Sequence, residues 1–364
     1  MELHLTSEQA LLRDSAAKFI GAAGPKVARG FRERDLSFAP KRLQEAGALG
    51  WLGILVPESA KGLGLDLTEL ALVLEQAGRG LVCEPIGLAA VAAAALGQGS
   101  TPHPMLEQVL TGAALVVPAL QERAYGDDPL APSTQAVGER GALRLTGQKM
   151  FVSADGADGF LVSASGRDGP VLCLVARDAP GCSLSAMPTV DGRKLTALSF
   201  ADAPAELILP HPTSRNAVDA LYNLVLMALS AELLGVMEEA QKITLDYMRI
   251  RKQFGKPIGS FQALQHQAAN IYIRTEATRS LIFQIAANND VYCIDPAMAA
   301  AAKAKASEDA LFVTEACIQL HGAIGFTDEH DIGLYLKRAM LLSSLLGNAA
   351  AQRRRYVALA GLTT

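Results

Sequence analysis

A cationic turn between two helical patterns is the first stretch of this chain whose residue types could do chemistry. It reads RKQFGKPIGSFQALQH and covers residues 251–266. A long helical pattern leads into it, and we expect Gly255 to break that helix and Ser260 to cap the next one. Arg251 would then lie in the last helical turn, where a guanidinium complements the helix dipole and can reach a phosphate. On composition alone, an ordinary basic helix end at the surface is the commoner explanation.

A second motif, QLHGAIGF, begins at Gln319, which is 68 residues after Arg251 (319 minus 251). Together the two motifs resemble the C-terminal signatures of the acyl-CoA dehydrogenase family, the second of which reads QxxGGxGF. Chain length, motif order and helix pattern agree with that family over essentially the whole sequence. The resemblance implies an α+β, mainly α fold with three domains.

The domain limits follow from changes in sequence pattern. Residues 1–112 read as short helices and predict an N-terminal helical domain. Residues 113–205 contain β-branched runs separated by Gly, Pro and Asp, which predict a middle β-domain. Residues 206–364 carry four long amphipathic patterns and predict a C-terminal four-helix bundle. The predicted strand runs are LVVPALQ, ALRLTG, KMFVSA, GFLVSA and PVLCLVA.

Composition excludes several classes of protein. Half of the 364 residues are apolar and 5% are aromatic, which favours a mostly helical protein with two or three packed domains. The net charge of -4, without a basic stripe, argues against nucleic-acid binding. Five cysteines without CxxC spacing predict neither a zinc site nor a disulfide framework. We also expect a cytoplasmic protein, since the N-terminus lacks a signal pattern and no apolar run reaches membrane-spanning length.

The family resemblance implies FAD at a subunit interface and an acyl-CoA substrate. A glutamate removes the α-proton of the acyl-CoA while the flavin accepts the β-hydride, so the position of that carboxylate is the most informative one. In most members it lies in a Glu-Gly-Thr-x-Gln loop, where this chain has Leu346. In others it lies on the helix before the first motif, at the position of Val225. Neither side chain can take a proton, so no catalytic residue is assigned to this chain.

The flavin contacts that the resemblance implies fall into two groups: contacts to the FAD of a neighbouring subunit and contacts to the chain's own FAD. Those that reach the FAD of a neighbouring subunit are intact, apart from Ala323 in place of the second glycine. They are Arg251, Phe254, Gln262, Gln319, Gly322 and Ala323.

Some of the contacts to the chain's own FAD are retained and others are replaced. The resemblance of KMFVSADG to KxWITNG implies that Phe151 stacks near the ring and that Ser153 offers a hydroxyl to the ring nitrogen. In contrast, Gln121 replaces a flavin-bonding threonine and Asp127 replaces a phosphate-contacting serine. A carboxylate about 4 Å from a pyrophosphate is repulsive by roughly 1 to 4 kcal/mol. The last loop also loses its threonine and glutamine to Asn348 and Ala350.

This asymmetry gives the hypothesis that the chain donates the outer half of a flavin site to a related glutamate-bearing subunit. The resemblance then points to the base-lacking subunit of an α2β2 complex, as in steroid-CoA dehydrogenases, and to a dimer or tetramer. A non-catalytic scaffold without flavin and a homomeric flavoenzyme of altered chemistry are the alternatives.

Other side chains could in principle act as the base. Glu232, Glu238 and Glu239 lie on the helix of Val225, but carboxylates on helices more often form ion pairs. His321 has a packing or flavin-contact role in this interpretation.

Overall fold

The computed structural model describes residues 5–21, 24–33, 38–99, 101–124, 128–139, 141–209 and 213–362. The predicted contact at Asp127 lies outside these ranges. The elements alternate as helices, strands and helices, and the fold class is the predicted α+β, mainly α. The division into domains at residues 112 and 205 stays a prediction.

Six helices precede the strands in the described residues. They are α1 (Ser7–Gly21), α2 (Gly24–Glu33), α3 (Pro40–Ala48), α4 (Leu67–Arg79), α5 (Ile86–Leu96) and α6 (Leu106–Leu110). Two helices begin with a capping box that the sequence pattern indicates, one between Thr6 and Gln9 and one between Asp66 and Glu69.

Seven strands form the central sheet. They are β1 (Val116–Ala119), β2 (Gln135–Val137), β3 (Leu143–Val152), β4 (Gly159–Gly166), β5 (Gly169–Ala176), β6 (Cys182–Pro188) and β7 (Lys194–Leu207). The order is β1-β4-β2-β3-β7-β5, with β6 on β7, and β4 also pairs with β5, so the sheet closes on itself. The two predicted runs ALRLTG and KMFVSA are one strand, β3, whose pairing with β7 is interrupted at two places.

Long helices form the C-terminal part. They are α7 (Thr213–Ile250), α8 (Gln262–Asn288), α9 (Pro296–His321), α10 (Ile332–Ser344) and α11 (Ala349–Leu359). A small hairpin of β8 (Lys252–Gln253) and β9 (Lys256–Pro257) connects α7 to α8.

This hairpin corrects two expectations. Helix α7 ends at Ile250, so Arg251 follows the helix and does not lie in its last turn. The N-cap of α8 is Phe261, and the hydroxyl of Ser260 donates to the carbonyl oxygen of Pro257. Because its hydroxyl is used in this local turn, Ser260 does not cap α8.

Helix α7 packs against α4 at very short range. A Cβ atom on Gly78 would lie 2.0 Å from the carbonyl oxygen of Glu232, and one on Gly235 would lie 1.8 Å from that of Glu75. Only glycine fits at these two crossing points, and the close approach brings α7 into the wall of the cavity described below.

Contrary to the expectation from sequence, α7 is long and apolar enough to cross a membrane. However, 94% of its most apolar window is buried inside this fold, as in the core helix of a packed protein.

Candidate functional site

An open concavity lies where the α7–α8 hairpin meets the end of α9. Its volume is about 530 Å³, and its lining includes Arg251, Phe254, Gln319, Gly322 and Ala323. Two motifs far apart in sequence are therefore brought together, as the family resemblance implies. Gln262 is exposed at the start of α8, and the lining includes its neighbours Phe261 and Ala263 but not Gln262 itself. We call this feature the outer concavity.

Polar groups of the outer concavity are available to a ligand. Arg251 and Gln319 are exposed. Within the described residues, neither side chain has a hydrogen bond or an ion pair. A free guanidinium beside a concave surface is well suited to bind a phosphate, which it can grip through two parallel hydrogen bonds.

Phe254 stands at the tip of the hairpin and is 91% exposed. Its backbone is left-handed, with φ of 52°, and Gly255 follows at 79°. The ring meets Phe261 edge-on with centroids 6.1 Å apart, and the ammonium of Lys256 lies 4.4 Å from the centre of the Phe261 ring. A large exposed aromatic residue in a strained conformation is typical of a binding site or an interface.

His321 ends α9 at the floor of the outer concavity. Its Nδ1 lies 2.8 Å from the carbonyl oxygen of Cys317, and its ring stacks on Tyr247 at 4.5 Å and lies 4.4 Å from that of His330. Burial lowers the pKa of His321, and the neighbouring His330 lowers it further. The neutral ring packs the turn that carries Gly322, whose φ of 67° and ψ of -143° together require glycine.

A second, inner cavity lies between α4, α7 and the sheet. Its volume is about 50 Å³, and its lining includes Ser153, Arg193, Glu232 and Leu345. Ser153 reaches it because β3 ends in an irregular turn, where Phe151 is half-buried and has a φ of 57°. The two predicted ring contacts therefore belong to the sheet, whereas the outer concavity is built from helix ends and the hairpin between them.

The two positions of the family glutamate are buried among apolar groups. Leu346 is 7% exposed and Val225 is 4% exposed, and both belong to the main hydrophobic core. Leu345, and not Leu346, lines the inner cavity. No proton acceptor is therefore supplied from either position.

The backbone of Leu346 is held tightly although its side chain is apolar. Its φ is 54°. The Leu346 N–H donates to Oε1 of Gln121 at 2.8 Å, and the Leu346 carbonyl accepts from Nε2 of Gln352 at 2.5 Å and from the hydroxyl of Tyr222 at 3.1 Å. Nearby, the buried Nζ of Lys303 donates to the carbonyl oxygens of Ser343 and Gly347.

Sequence reasoning missed Tyr222, Gln352 and Lys303 as the residues that fix this loop. Burial lowers the pKa of Lys303 to about 7. One feature of the sequence could have indicated a buried polar site: a lysine and a serine lie four residues apart in an alanine-rich helix. In the structure, Lys303 Nζ donates to Ser307 Oγ.

Glu232 lines the inner cavity, but its carboxylate forms an ion pair. Its carboxylate accepts from Nη1 of Arg338 at 3.0 Å, and Arg338 also donates through Nε to Asp191 at 2.9 Å. Burial opposes the charge on Arg338, but the two carboxylates hold its pKa above the usual range. The structure agrees with the ion-pairing interpretation of Glu232 over that of a free base.

Glu238 and Glu239 are also paired, in both cases with Arg79. Among the described residues, no group of three His, Cys, Asp or Glu side chains is placed to hold a metal ion.

The family models for the N-terminal and C-terminal domains of acyl-CoA dehydrogenase match residues 6–101 and 223–358. An acyl-CoA dehydrogenase of Mycobacterium tuberculosis, IpdE2, is 30% identical over 356 residues, which cover 96% of each chain. This chain belongs to the acyl-CoA dehydrogenase family.

Two solved structures of acyl-CoA dehydrogenases are similar over their whole length. A variant of the Tcur3481–Tcur3483 steroid acyl-CoA dehydrogenase is 33% identical with a TM-score of 0.90, covering 98% of each chain. The ChsE4–ChsE5 complex of Mycobacterium tuberculosis is 26% identical with a TM-score of 0.89, covering 100% of each chain.

As an acyl-CoA dehydrogenase, the chain is an oxidoreductase of the class that acts on CH–CH groups, and FAD is its cofactor. The residues present fit FAD unequally. The outer concavity offers free groups for a phosphate and an exposed aromatic ring. The inner cavity offers a hydroxyl on Ser153 but little space, and Gln121 bonds the backbone where a flavin contact is expected.

Proposed function

We propose that this chain is the base-lacking subunit of a hetero-oligomeric acyl-CoA dehydrogenase. It takes part in the FAD-dependent α,β-desaturation of an acyl-CoA thioester by completing the flavin site of a related, glutamate-bearing subunit. One observation carries the proposal: the outer concavity holds Arg251 and Gln319, whose side chains have no bonded partner among the described residues, whereas both base positions hold buried apolar side chains.

The reaction itself explains why the partner is required. FAD, when bound, accepts the hydride from the β-carbon of the acyl group. Removal of the α-proton needs a carboxylate within hydrogen-bond reach, and Leu346 and Val225 have no group that accepts a proton. The two carboxylates nearest in sequence to Val225, those of Asp219 and Glu232, are held in ion pairs with Arg355 and Arg338.

The role of this chain is to bind and position the cofactor of its partner. Arg251 would neutralise the pyrophosphate, and Phe254 would pack beside it. The left-handed backbone at Phe254 holds the ring out from the surface before any partner arrives, which lowers the ordering cost of association.

The acyl group would bind in the partner chain. A cavity of about 50 Å³ has room for a few water molecules, at roughly 10 to 15 Å³ each. Ordinary ligand pockets measure about 300 to 1,000 Å³. The inner cavity is thus too small for a fatty or steroid acyl chain.

The similar steroid acyl-CoA dehydrogenase and the ChsE4–ChsE5 complex support two further parts of the proposal. We propose a bulky, steroid-derived acyl-CoA as the substrate and an α2β2 assembly as the active form. A cytoplasmic location is consistent with a soluble CoA ester as substrate.

The test is to purify the chain alone and together with candidate glutamate-bearing partners. We expect the lone chain to be colourless and inactive, and the complex to be yellow and to reduce an artificial electron acceptor when an acyl-CoA is added. Firm FAD binding and acyl-CoA oxidation by the lone chain would contradict the proposal. A stable complex without flavin would support the scaffold alternative instead.

A further inference from the structure

Gln121 lies where the family has a flavin-bonding threonine, but its side chain serves the protein itself. It is 4% exposed. Its Oε1 accepts from the N–H of Leu346 at 2.8 Å, and its Nε2 donates to the carbonyl oxygen of Arg123 at 2.7 Å. Both polar ends of the amide are therefore used to join two backbone segments.

The carbonyl group of Leu346 is held as well. Gln352 on α11 and Tyr222 on α7 both donate to its carbonyl oxygen. A left-handed backbone at a leucine costs on the order of 1 to 3 kcal/mol and persists only where surrounding contacts enforce it. Here side chains from three parts of the chain hold the backbone of this one residue, and Gln121 supplies the contact from the segment that follows β1.

The carbonyl oxygen of Gln121 accepts from the N–H of Met150 in β3 at 2.7 Å. The same residue is thus fixed to the strand that leads into Phe151 and Ser153, the two predicted ring contacts. Movement of the Leu346 loop away from the sheet would break a buried hydrogen bond and leave its donor unsatisfied.

We propose that Gln121 is a latch that holds the Leu346 loop against the sheet and closes the chain's own site to the flavin ring. It leaves the outer concavity untouched, so that FAD binds only in the site that this chain completes for its partner. This inference rests on the proposed function and adds to it the residue that decides which of two related sites takes the cofactor.

The test compares Gln121→Thr with the wild type in the complex with a glutamate-bearing partner. Threonine is too short to span both bonds, so we expect amide exchange across residues 343–350 to rise at least about tenfold. We also expect more FAD per pair of chains than in the wild-type complex. Gln121→Asn, which is one methylene shorter, should show the same increase in exchange if the threonine variant fails to fold.

Gln148→Thr is the matched control, because Gln148 is an exposed glutamine on β3. It should change neither quantity. Unchanged exchange at residues 343–350 or an unchanged amount of FAD in the Gln121 variant would overturn the latch. The activity of the wild-type complex and of the lone chain tests the proposed function separately, so either idea can fail without the other.

Discussion

The outer concavity and the inner cavity of this chain differ in whether their polar groups are bonded within the protein. In the outer concavity, Arg251 and Gln319 are exposed and have no partner in the described residues. Around the inner cavity, the amide of Gln121, the carboxylate of Glu232 and the peptide of Leu346 are all bonded within the chain. A group left free can bind a ligand at little cost, whereas freeing a buried bonded group costs about 1 to 3 kcal/mol.

Backbone strain, in contrast, is common to both regions. Phe254 in the outer concavity has a φ of 52°, and Phe151 and Leu346 on the inner side have values of 57° and 54°. Strained geometry at a functional motif therefore does not tell which site is in use. The distinguishing property is whether the polar groups beside the strained residue remain available.

The largest change in stability should come from placing the family carboxylate at position 346, beside the inner cavity. Leu346→Glu would bury a carboxyl group where the surroundings are apolar, and we expect the free energy of unfolding to fall by at least about 3 kcal/mol. We also expect no acyl-CoA oxidation by the lone variant chain. Denaturant unfolding and a dye-reduction assay measure these outcomes.

Leu359→Glu, at an exposed position on α11, is the control and should have little effect on stability. Acyl-CoA oxidation by the lone Leu346→Glu chain would show that the inner region is an open flavin site, and the contrast between the two regions would be lost.

The next effect concerns the outer concavity. In the complex with a glutamate-bearing partner, Arg251→Ala should weaken FAD binding about 10- to 100-fold, because charge-assisted hydrogen bonds contribute about 1.5 to 3 kcal/mol. Arg251→Lys should retain part of the affinity. The dissociation constant can be measured by flavin fluorescence after removal of FAD.

Arg354→Ala removes an exposed arginine from another face and serves as the control. Equal loss of affinity in both variants would indicate a general effect of charge, and unchanged affinity in Arg251→Ala would remove the outer concavity from the flavin site.

Much of the fold could be predicted because its signals are local and periodic. Both capping boxes and the long helices follow from side-chain spacing. The errors occur at helix ends, where a hydrogen bond or a strand pairing overrides the local pattern. Ser260 bonds Pro257 and so does not cap α8. The β8–β9 hairpin ends α7 before Arg251.

The flavin contacts stay predictions, but the structure shows which of these residues lie together and which bonds hold them. The family resemblance groups Arg251 with Gln319, and the structure brings both to one concavity. The bond from Gln121 to Leu346 spans 225 residues of sequence, and no local pattern indicates it. The left-handed backbone of Leu346 was equally hidden, since leucine does not favour that conformation.

A smaller effect is expected from removing one hydroxyl at the inner region. Tyr222→Phe takes away a donor to the Leu346 carbonyl, which keeps its bond from Gln352. We expect the free energy of unfolding to fall by about 1 kcal/mol. Tyr272→Phe, at an exposed position on α8, is the control. A loss as large as that of Leu346→Glu would mean that Tyr222 has a wider role than holding this peptide.

The smallest effect is a pH dependence in the outer concavity. Burial holds the pKa of His321 below its usual value of 6.5, so acid protonates the unfolded chain more readily than the folded one. The stability that the neutral ring contributes is therefore complete above the usual pKa and is lost as the pH falls below it. We expect the melting temperature to drop more between about pH 7.5 and about pH 5 in the wild type than in His321→Gln. His266→Gln, at an exposed position on α8, should keep the wild-type dependence, and an identical pH profile for His321→Gln would show that His321 does not titrate in this way.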